Sequence, residues 1–211
     1  MRNLISAIGL ICLAACGAND PPSRPPVIPI TPAETAVAEA AMRSWSHPGN
    51  AGIHRGQVVD DRLDPFCAGP MVSIDETRAP SEIQAARLRH SAKGDKQLLE
   101  AVEDFLRKRE QNTPTALLVE GIQGVDVQPR AEIEKQEDGE PFWASFYRRF
   151  PKSQGYGKLS RVGLSHDGTL AVIAHSILAG LLMGYGKYSV FEKVDGKWVP
   201  SSREIKGGWI S

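Results

Sequence analysis

Two Asp-Gly pairs in the last third of the chain, Asp167-Gly168 and Asp195-Gly196, constrain the fold more than any other feature. An Asp-Gly pair between apolar or alternating segments is typical of the tight turn that joins two antiparallel strands. Such segments flank both pairs, and a further one lies near the C-terminus. The predicted strands are residues 159–165, 170–178, 187–194, 197–199 and 203–210. This region therefore predicts an antiparallel β-meander of four or five strands.

Helical patterns fill much of the chain before the meander. The motif Thr31-Pro32-Ala33-Glu34 can form a capping box with proline at the first helical position, and it predicts a helix to about Trp45. A second helical region begins after Pro80, and its later part repeats apolar residues at spacings of three and four. We expect the charged residues of that part, including Asp104 and Lys108, to form a solvated face.

Helices followed by strands indicate an α+β fold, in which N-terminal helices pack on the C-terminal antiparallel meander. We expect two layers, one of helices and one of strands. A short aromatic helix is predicted from Phe142 to about Pro151. Residues 57–60, 71–75 and 116–119 are further strand candidates, and the polar residues 129–140 are predicted to form an exposed loop.

Residues 170–185 are strongly apolar and raise the question of a membrane-spanning helix. His175 and Gly180 interrupt the stretch, and β-branched residues lie near its start. A spanning helix needs about 20 predominantly apolar residues. We therefore predict a buried strand followed by a glycine-rich connection at residues 180–186.

The N-terminus has the layout of a bacterial secretory signal. Arg2 gives it a positive start, and the ten-residue apolar run at positions 4–13 is too short to span a bilayer as a helix. The run ends in Leu13-Ala14-Ala15-Cys16. This motif resembles the lipobox of bacterial lipoproteins, in which small residues precede an obligatory cysteine. The resemblance implies cleavage before Cys16 and lipid attachment to its thiol; the alternative is an ordinary signal cut after Ala15.

The chain after the cysteine is expected to form a spacer and one domain. Six of the sixteen residues from Gly17 to Pro32 are proline, a composition typical of an extended, semi-rigid linker. The predicted organisation is a signal peptide at 1–15, a lipidated cysteine and tether at 16–32, and a single periplasmic domain at 33–211. An aspartate after the cysteine favours inner-membrane retention in the enterobacterial pattern, so Gly17 makes the outer membrane the expected location.

Charge and cysteine content exclude several classes of protein. The chain has 25 Lys+Arg and 25 Asp+Glu, so it has no basic excess with which to bind nucleic acid. Of its three cysteines, Cys12 leaves with the signal and Cys16 carries lipid. Only Cys67 remains, which rules out an intramolecular disulfide. We expect Cys67 to be a small buried side chain.

The sequence has no clear catalytic or metal-binding motif. Its five histidines are His47, His54, His90, His166 and His175. None forms the i, i+4 pair of a metalloprotease helix, and a single free cysteine excludes a cysteine-based zinc site, so no metal or cofactor is predicted. The run Ser165-His166-Asp167 contains the residue types of a hydrolase triad. Neighbouring residues point in different directions, however, so we interpret them as turn residues.

Several short motifs lie in the C-terminal third of the chain. They are Ser160-Arg161-Val162-Gly163, Ala171-Val172, Gly184-Tyr185-Gly186-Lys187-Tyr188, Asp195-Gly196-Lys197-Trp198 and Trp209-Ile210-Ser211. Together they resemble a family of uncharacterised bacterial secreted proteins and lipoproteins over about a third of the chain. The resemblance implies a fold and no activity or active site. Residues 177–183 depart from the pattern, which has a shorter, polar connection there.

Two functions fit these observations. The first is a lipid-anchored envelope protein with a non-catalytic domain that binds an envelope protein or a ligand. The second is an envelope hydrolase whose site forms only in the fold, with His54, Asp60, Asp61, Cys67 and His166 as candidates. A deep pocket joining two candidates would favour the hydrolase, and a shallow apolar surface near residues 180–185 would favour binding.

Overall fold

The computed structural model describes residues 28–44, 57–60, 80–109, 111, 115–153, 155–181 and 183–210. The helices within these residues are α1 (Pro32–Arg43), α2 (Pro80–Ser91), α3 (Lys96–Lys108), α4 (Thr115–Leu118), α5 (Arg130–Glu134) and α6 (Phe142–Arg149). The strands are β1 (Gln57–Asp60), β2 (Val125–Gln128), β3 (Tyr156–Leu164), β4 (Leu170–Gly180), β5 (Met183–Val194), β6 (Lys197–Pro200) and β7 (Gly208–Ile210). Helices precede the long strands, and the predicted α+β class is confirmed.

The strands form one mixed sheet in the order β2-β1-β3-β4-β5-β6, with β7 paired to β5. Strands β3 to β6 run antiparallel to one another in chain order, as the Asp-Gly turns predict. Asp195 and Gly196 have φ values of 50° and 77°, the left-handed conformation that the tight β5–β6 turn requires. Strands β1 and β2 extend the sheet in parallel beyond β3, so the meander continues into a mixed edge.

Helices cover both faces of the sheet. Alternate residues of a strand point to opposite faces. Leu170 and Val172 of β4 belong to a core cluster with α2 and α3, whereas Ala171 and Ile173 belong to a second cluster with α1 and α4. The expected two-layer packing is therefore wrong. Residues 170–176 are buried throughout, and a strand buried on both faces needs cover on both.

The predicted capping box is present at the start of α1. The Thr31 hydroxyl accepts a hydrogen bond from the Glu34 backbone N–H at 3.3 Å, and the Thr31 N–H donates to Glu34 Oε2 at 2.9 Å. The helix ends at Arg43, and Trp45 lies outside the described residues. This N-terminus is readable from sequence because both hydrogen bonds join residues three apart.

Three local predictions need correction. Residues 116–119 lie mainly in helix α4 rather than in a strand, since a short apolar run suits a buried helical turn equally well. The predicted loop at 129–140 contains α5, whose Ile133 is fully buried. The expected connection at 180–186 is largely strand, because β5 begins at Met183. The candidate strand at 71–75 lies outside the described residues.

Within the part of the chain that the structure describes, no helix has both the length and the apolar character needed to cross a membrane. The apolar stretch that begins at Leu170 forms strand β4, as predicted, and its last residues begin β5 in place of the expected connection. Burial of residues 170–176 between two helical layers accounts for their apolar composition.

Candidate binding surface

The far end of the β4–β5 hairpin presents large apolar side chains to solvent. We call residues 177–181 and 183–185 the hairpin end. Leu181 is 88% exposed and Met183 is 65% exposed, whereas residues 170–176 of the same hairpin are buried. Isolated apolar side chains on a surface are ordinary, but two large ones at the tip of a projecting element are typical of a contact site.

The hairpin end extends beyond its neighbouring strands. Strand β3 begins opposite Leu178, and the described part of β7 pairs with residues 185–187 of β5. Strands β4 and β5 still pair with each other at Gly180 and Met183, but residues 179–181 and 183–184 lie past the described ends of β3 and β7. Their apolar side chains gain no cover from an adjacent strand among the described residues.

An aromatic cluster packs beside the hairpin end. Its members are Phe142, Trp143, Phe146, Tyr147, Phe150 and Tyr156. Neighbouring ring centroids in the cluster are 5.0 to 6.4 Å apart, within the range in which aromatic pairs attract one another. Phe146 is fully buried at the centre, while Trp143 and Tyr147 are half-buried. The cluster is thus a rigid support with partly accessible rings.

Two contacts fix the hairpin end to this cluster. The Tyr147 hydroxyl donates a hydrogen bond to the Ala179 carbonyl oxygen at 2.7 Å, and burial raises the pKa of Tyr147. Gly155 has a φ of 131°, and a Cβ atom there would lie 2.2 Å from the Leu178 carbonyl oxygen. Only glycine allows this approach of the two backbones. The exposed tip is therefore held in one position by its base.

His175 lies at the base of the hairpin end and is fully buried. Its Nε2 lies 2.8 Å from the Ser189 hydroxyl oxygen, and its ring meets the Tyr185 ring edge-on with centroids 6.3 Å apart. Burial lowers the pKa of His175 to about 3, and the positive charge of Lys187 acts in the same direction. His175 is therefore neutral at physiological pH and serves as a hydrogen-bonded core residue.

A second polar feature lies along the part of the β3 edge that no described strand covers, where charged side chains are buried. We call Glu34, Asp104, Lys108 and Arg161 the edge clamp. Strand β1 pairs only with the first residues of β3, so the backbone further along β3 needs other partners. The Lys108 ammonium donates to the Val162 carbonyl at 3.1 Å, and the Leu164 N–H donates to Asp104 Oδ2 at 2.9 Å. Helix α3 thus closes the edge with side chains.

Arg161 joins this clamp to the start of the described chain. Its Nε and Nη2 donate to Glu34 Oε1 at 3.1 and 3.0 Å, and its Nη1 donates to the Ile28 carbonyl at 3.0 Å. Lys108 Nζ lies 3.4 Å from the same Glu34 oxygen and 2.7 Å from Asp104 Oδ2. The segment after the proline-rich region is therefore attached to the sheet through Arg161.

The clamp corrects the expectation that the charges of α3 face solvent. Lys108 is buried, and the Asp104 carboxylate is largely covered. Burial raises the pKa of Asp104, but hydrogen bonds from Lys108 and from the Leu164 amide outweigh it, so the pKa lies below the ordinary value. Arg107 and Glu103 remain substantially exposed, as expected.

The motif Ser160-Arg161-Val162-Gly163, on which the family resemblance partly depends, has a structural role at each position. The β3–β4 pairing shifts register here, and the Ser160 hydroxyl accepts the Ala174 N–H at 2.8 Å in place of a regular ladder bond. Val162 lies in the core, and a Cβ at Gly163 would lie 2.1 Å from the Ala101 carbonyl oxygen. The residues of the motif therefore serve the pairing of β3 with β4 and its packing against the helices.

Of the five predicted hydrolase candidates, only Asp60 and His166 lie within the described residues. His54, Asp61 and Cys67 lie outside the described residues, as does His47. Asp60 is the last residue of β1, where it pairs with Gln128, and its side chain is not described. The His166 side chain is 84% exposed, with Nδ1 3.4 Å from a Glu100 carboxylate oxygen. His166 is thus a surface histidine.

The run Ser165-His166-Asp167 forms a turn, as interpreted from the sequence. The Ser165 hydroxyl donates to Asp167 Oδ1 at 2.6 Å, and the same oxygen accepts the Thr169 hydroxyl at 2.8 Å. These bonds, the one from Ser165 foremost, hold the pKa of Asp167 well below its usual range. The serine therefore points to the aspartate and not to the histidine, so no triad geometry exists.

A groove of about 520 Å³ runs between α1 and β6. It is lined by charged and apolar side chains, among them Glu39, Arg43 and the half-buried Trp198. His166, the hydrolase candidate whose side chain the structure describes, is not among the described lining residues. Among the described residues, no three histidine, cysteine, aspartate or glutamate side chains form a group that could hold a metal ion.

Comparison of the chain with protein-family models, with curated proteins and with solved structures found no match. The function of the hairpin end is therefore inferred from its geometry and from the sequence patterns described above.

Proposed function

We propose that this protein is a bacterial lipoprotein, anchored through Cys16, whose domain is a non-catalytic module that binds another component of the cell envelope. The observation that carries this proposal is the exposure of Leu181 and Met183 on a firmly supported hairpin. A shallow apolar surface in this position is the feature that favours binding over hydrolysis.

The support beneath the hairpin end strengthens the argument. A contact surface is more effective when its anchors are already ordered, because binding then costs less conformational entropy. The hydrogen bond from Tyr147 to Ala179 and the close approach of Gly155 to Leu178 supply that order. The partly accessible rings of Trp143 and Tyr147 add aromatic surface of the kind enriched in binding sites.

The anchor places the domain in its proposed location. The lipobox Leu13-Ala14-Ala15-Cys16 supports lipidation, and Gly17 favours the outer membrane. Eleven residues separate Cys16 from Ile28, where Arg161 attaches the chain to the sheet. The proposed arrangement is a domain held close to a membrane surface, with an envelope protein as the partner expected from the sequence.

Lipidation is tested by metabolic labelling with an acyl-chain analogue. We expect the full-length chain to take up the label and Cys16→Ala to lose it together with tight membrane association. Retention of the label by Cys16→Ala would overturn the proposed anchor. Peptide mass analysis of the purified protein checks the same point, since it gives the mass of the group on Cys16.

Binding is tested by crosslinking in intact cells, followed by affinity capture and mass spectrometry. A photoreactive side chain at Leu181 should give adducts that the same side chain at Leu117 does not. Leu117 is a suitable control because it is another exposed leucine, at 51%, on the separate helix α4. Equal adducts from the two positions would contradict a binding role for the hairpin end.

A further inference from the structure

We propose that the component bound by the hairpin end is the lipid surface itself, and that Leu181 and Met183 insert into the membrane that carries the Cys16 anchor. This inference rests on the proposed anchoring. It assigns the apolar tip to the boundary between lipid headgroups and acyl chains, with the sheet standing above the membrane.

The size of the apolar tip favours lipid over protein. A standard protein–protein interface takes about 800 Å² from each partner, far more than two side chains at a hairpin tip provide. A bilayer imposes no such requirement, because each inserted apolar side chain is buried independently of a matching surface. Leu181 and Met183 are both long, unbranched at Cβ and largely exposed, at 88% and 65%, which suits insertion.

The side chains behind the tip suit the headgroup layer. Tyr and Trp are enriched at membrane–water interfaces, where an apolar ring and a polar group each find their preferred surroundings. The Tyr147 hydroxyl reaches Ala179, two residues from Leu181, and Trp143 stacks on Tyr147 with centroids 5.8 Å apart. Tyr185, two residues after Met183, is also half-buried.

The charges near the hairpin end do not oppose an anionic surface. Residues 168–191 contain a single charged residue, Lys187, which is exposed. Residues 141–165, which form α6 and β3, contain no acidic residue, and their basic residues outside the buried Arg161 are Arg148, Arg149, Lys152 and Lys158. Arg148 pairs with Glu137 and Glu140 of the preceding loop. Lysines at this level favour contact with negatively charged headgroups.

The length of the tether allows the anchor and the tip to reach one membrane. Arg161 holds Ile28 at the level of Ala174, because β3 residues 159 and 162 pair with β4 residues 175 and 173. Leu181 is seven positions after Ala174, or about 23 Å along an extended strand at 3.3 Å per residue. Ile28 is twelve positions after Cys16, and a proline-rich chain of that length can reach about 37 Å at 3.1 Å per residue. The reach therefore exceeds the distance.

Because the acyl anchor already holds the chain at the membrane, a weak affinity of the tip for lipid is enough to keep the tip inserted. The acyl anchor keeps the domain within a few tens of ångströms of the bilayer, so the hairpin end meets lipid at a high effective concentration. Insertion of the tip would give the domain a fixed orientation on the membrane. The groove between α1 and β6 and the loops near His166 would then remain open to envelope proteins.

The test uses the full lipidated chain in vesicles of phosphatidylethanolamine and phosphatidylglycerol. A photoreactive diazirine side chain replaces Leu181 in one preparation and Leu117 in a second. We expect several-fold more phospholipid adduct from position 181 than from position 117, measured by mass spectrometry. Equal adduct at the two positions would overturn the proposal. So would capture, in intact cells, of an envelope protein and no lipid from position 181.

A second variant tests the role of the apolar side chains. With the photoreactive group at 181, Met183→Asp should lower the lipid adduct about tenfold. The change removes an apolar side chain that would be buried in the bilayer and introduces a charge there. The matched variant Leu117→Asp should leave it unchanged, and circular dichroism shows that both retain the fold. An unchanged adduct in Met183→Asp would contradict insertion of the tip.

The mass of the N-terminal peptide separates this proposal from the anchoring on which it rests. An acylated chain without excess adduct at position 181 would retain the anchor and overturn the lipid contact. A chain without acyl groups on Cys16 that still gives the adduct would overturn the anchor and retain the contact.

Discussion

The edge clamp and the hairpin end depart from ordinary residue placement in opposite ways. At the clamp, Glu34, Lys108 and Arg161 bury their charges in the interior. At the hairpin end, Leu181 and Met183 hold apolar side chains in solvent. Burying a charge is costly unless it is paired, and exposing a large apolar group forgoes the gain from burial. Both arrangements are unfavourable in free energy, but only at the clamp do contacts among the described residues compensate.

The difference separates residues that stabilise the fold from residues available for function. Every charge of the clamp meets an opposite charge or a backbone group that the sheet edge would otherwise leave unpaired. The apolar side chains of the tip meet nothing comparable, although the backbone beneath them is firmly held. Because no comparable contact covers Leu181 and Met183 among the described residues, their exposure agrees with the lipid contact proposed above.

The largest effect is expected at the clamp. Arg161→Ala would leave the Glu34 carboxylate buried with one partner fewer, and should lower the free energy of unfolding by about 3–5 kcal/mol. Urea denaturation followed by circular dichroism measures the change. The exposed Arg148, which pairs with Glu137 and Glu140, gives the matched control. Arg148→Ala should cost at most about 1 kcal/mol, and similar losses in the two variants would contradict a stabilising role for the clamp.

A smaller effect is expected from His175, which lies between the core and the hairpin end. Burial lowers its pKa to about 3 in the folded state, so only the unfolded chain gains a proton as the pH falls below about 6.5. The stability from the neutral ring is complete above pH 6.5 and is lost as the pH falls from there towards 3. The free energy of unfolding should therefore drop by about 2 kcal/mol between pH 6 and pH 4.5.

His175→Gln supplies the control for this pH dependence. Glutamine can bond to Ser189 and has no proton to gain, so the variant should show a flatter profile between pH 6 and pH 4.5. Asp104, whose pKa is lowered in the fold, contributes only at lower pH, as the unfolded carboxyl takes up a proton. A profile with the same slope in both proteins would show that His175 is accessible to protonation in the fold.

The sequence predicts local structure in this chain better than it predicts contacts between distant segments. The α1 capping box and the Asp195-Gly196 turn depend on residues within a few positions, and both are confirmed. Asp104 and Lys108 look like an ordinary i, i+4 pair on a charged helix face. Nothing near them in sequence shows that they face the open edge of β3. The Glu34–Arg161 pair joins residues 127 positions apart, so only the fold brings it together.

At the hairpin end, the strand predicted over residues 170–178 is confirmed, whereas the connection predicted at 180–186 is largely strand. Glycines at 180, 184 and 186 indicate a loop on composition alone. Cross-strand pairing with β4 overrides that preference, since Gly184 and Gly186 lie opposite Leu178 and Ser176. The buried clamp charges had no such compositional sign.

A modest effect is expected from Tyr147→Phe. This change removes the hydrogen bond to the Ala179 carbonyl and should cost about 1 kcal/mol, since the acceptor is then left to water. Hydrogen exchange should become faster at the hairpin end and stay unchanged at residues 170–174 in the core. Faster exchange along the whole of β4 would instead show that Tyr147 supports the entire sheet, and the distinction between tip and core would fail.

The smallest effect on stability is expected at the tip, where Leu181→Ala should change the free energy of unfolding by no more than about 0.5 kcal/mol. The matched change Ile173→Ala, at a fully buried position of strand β4, should cost about 2–5 kcal/mol because it leaves a cavity. Denaturation of both variants under one set of conditions gives the comparison. A large loss in Leu181→Ala would mean that this side chain packs against its own chain in solution. The tip would then belong with the clamp among the residues that stabilise the fold, and its exposure would no longer indicate an external partner.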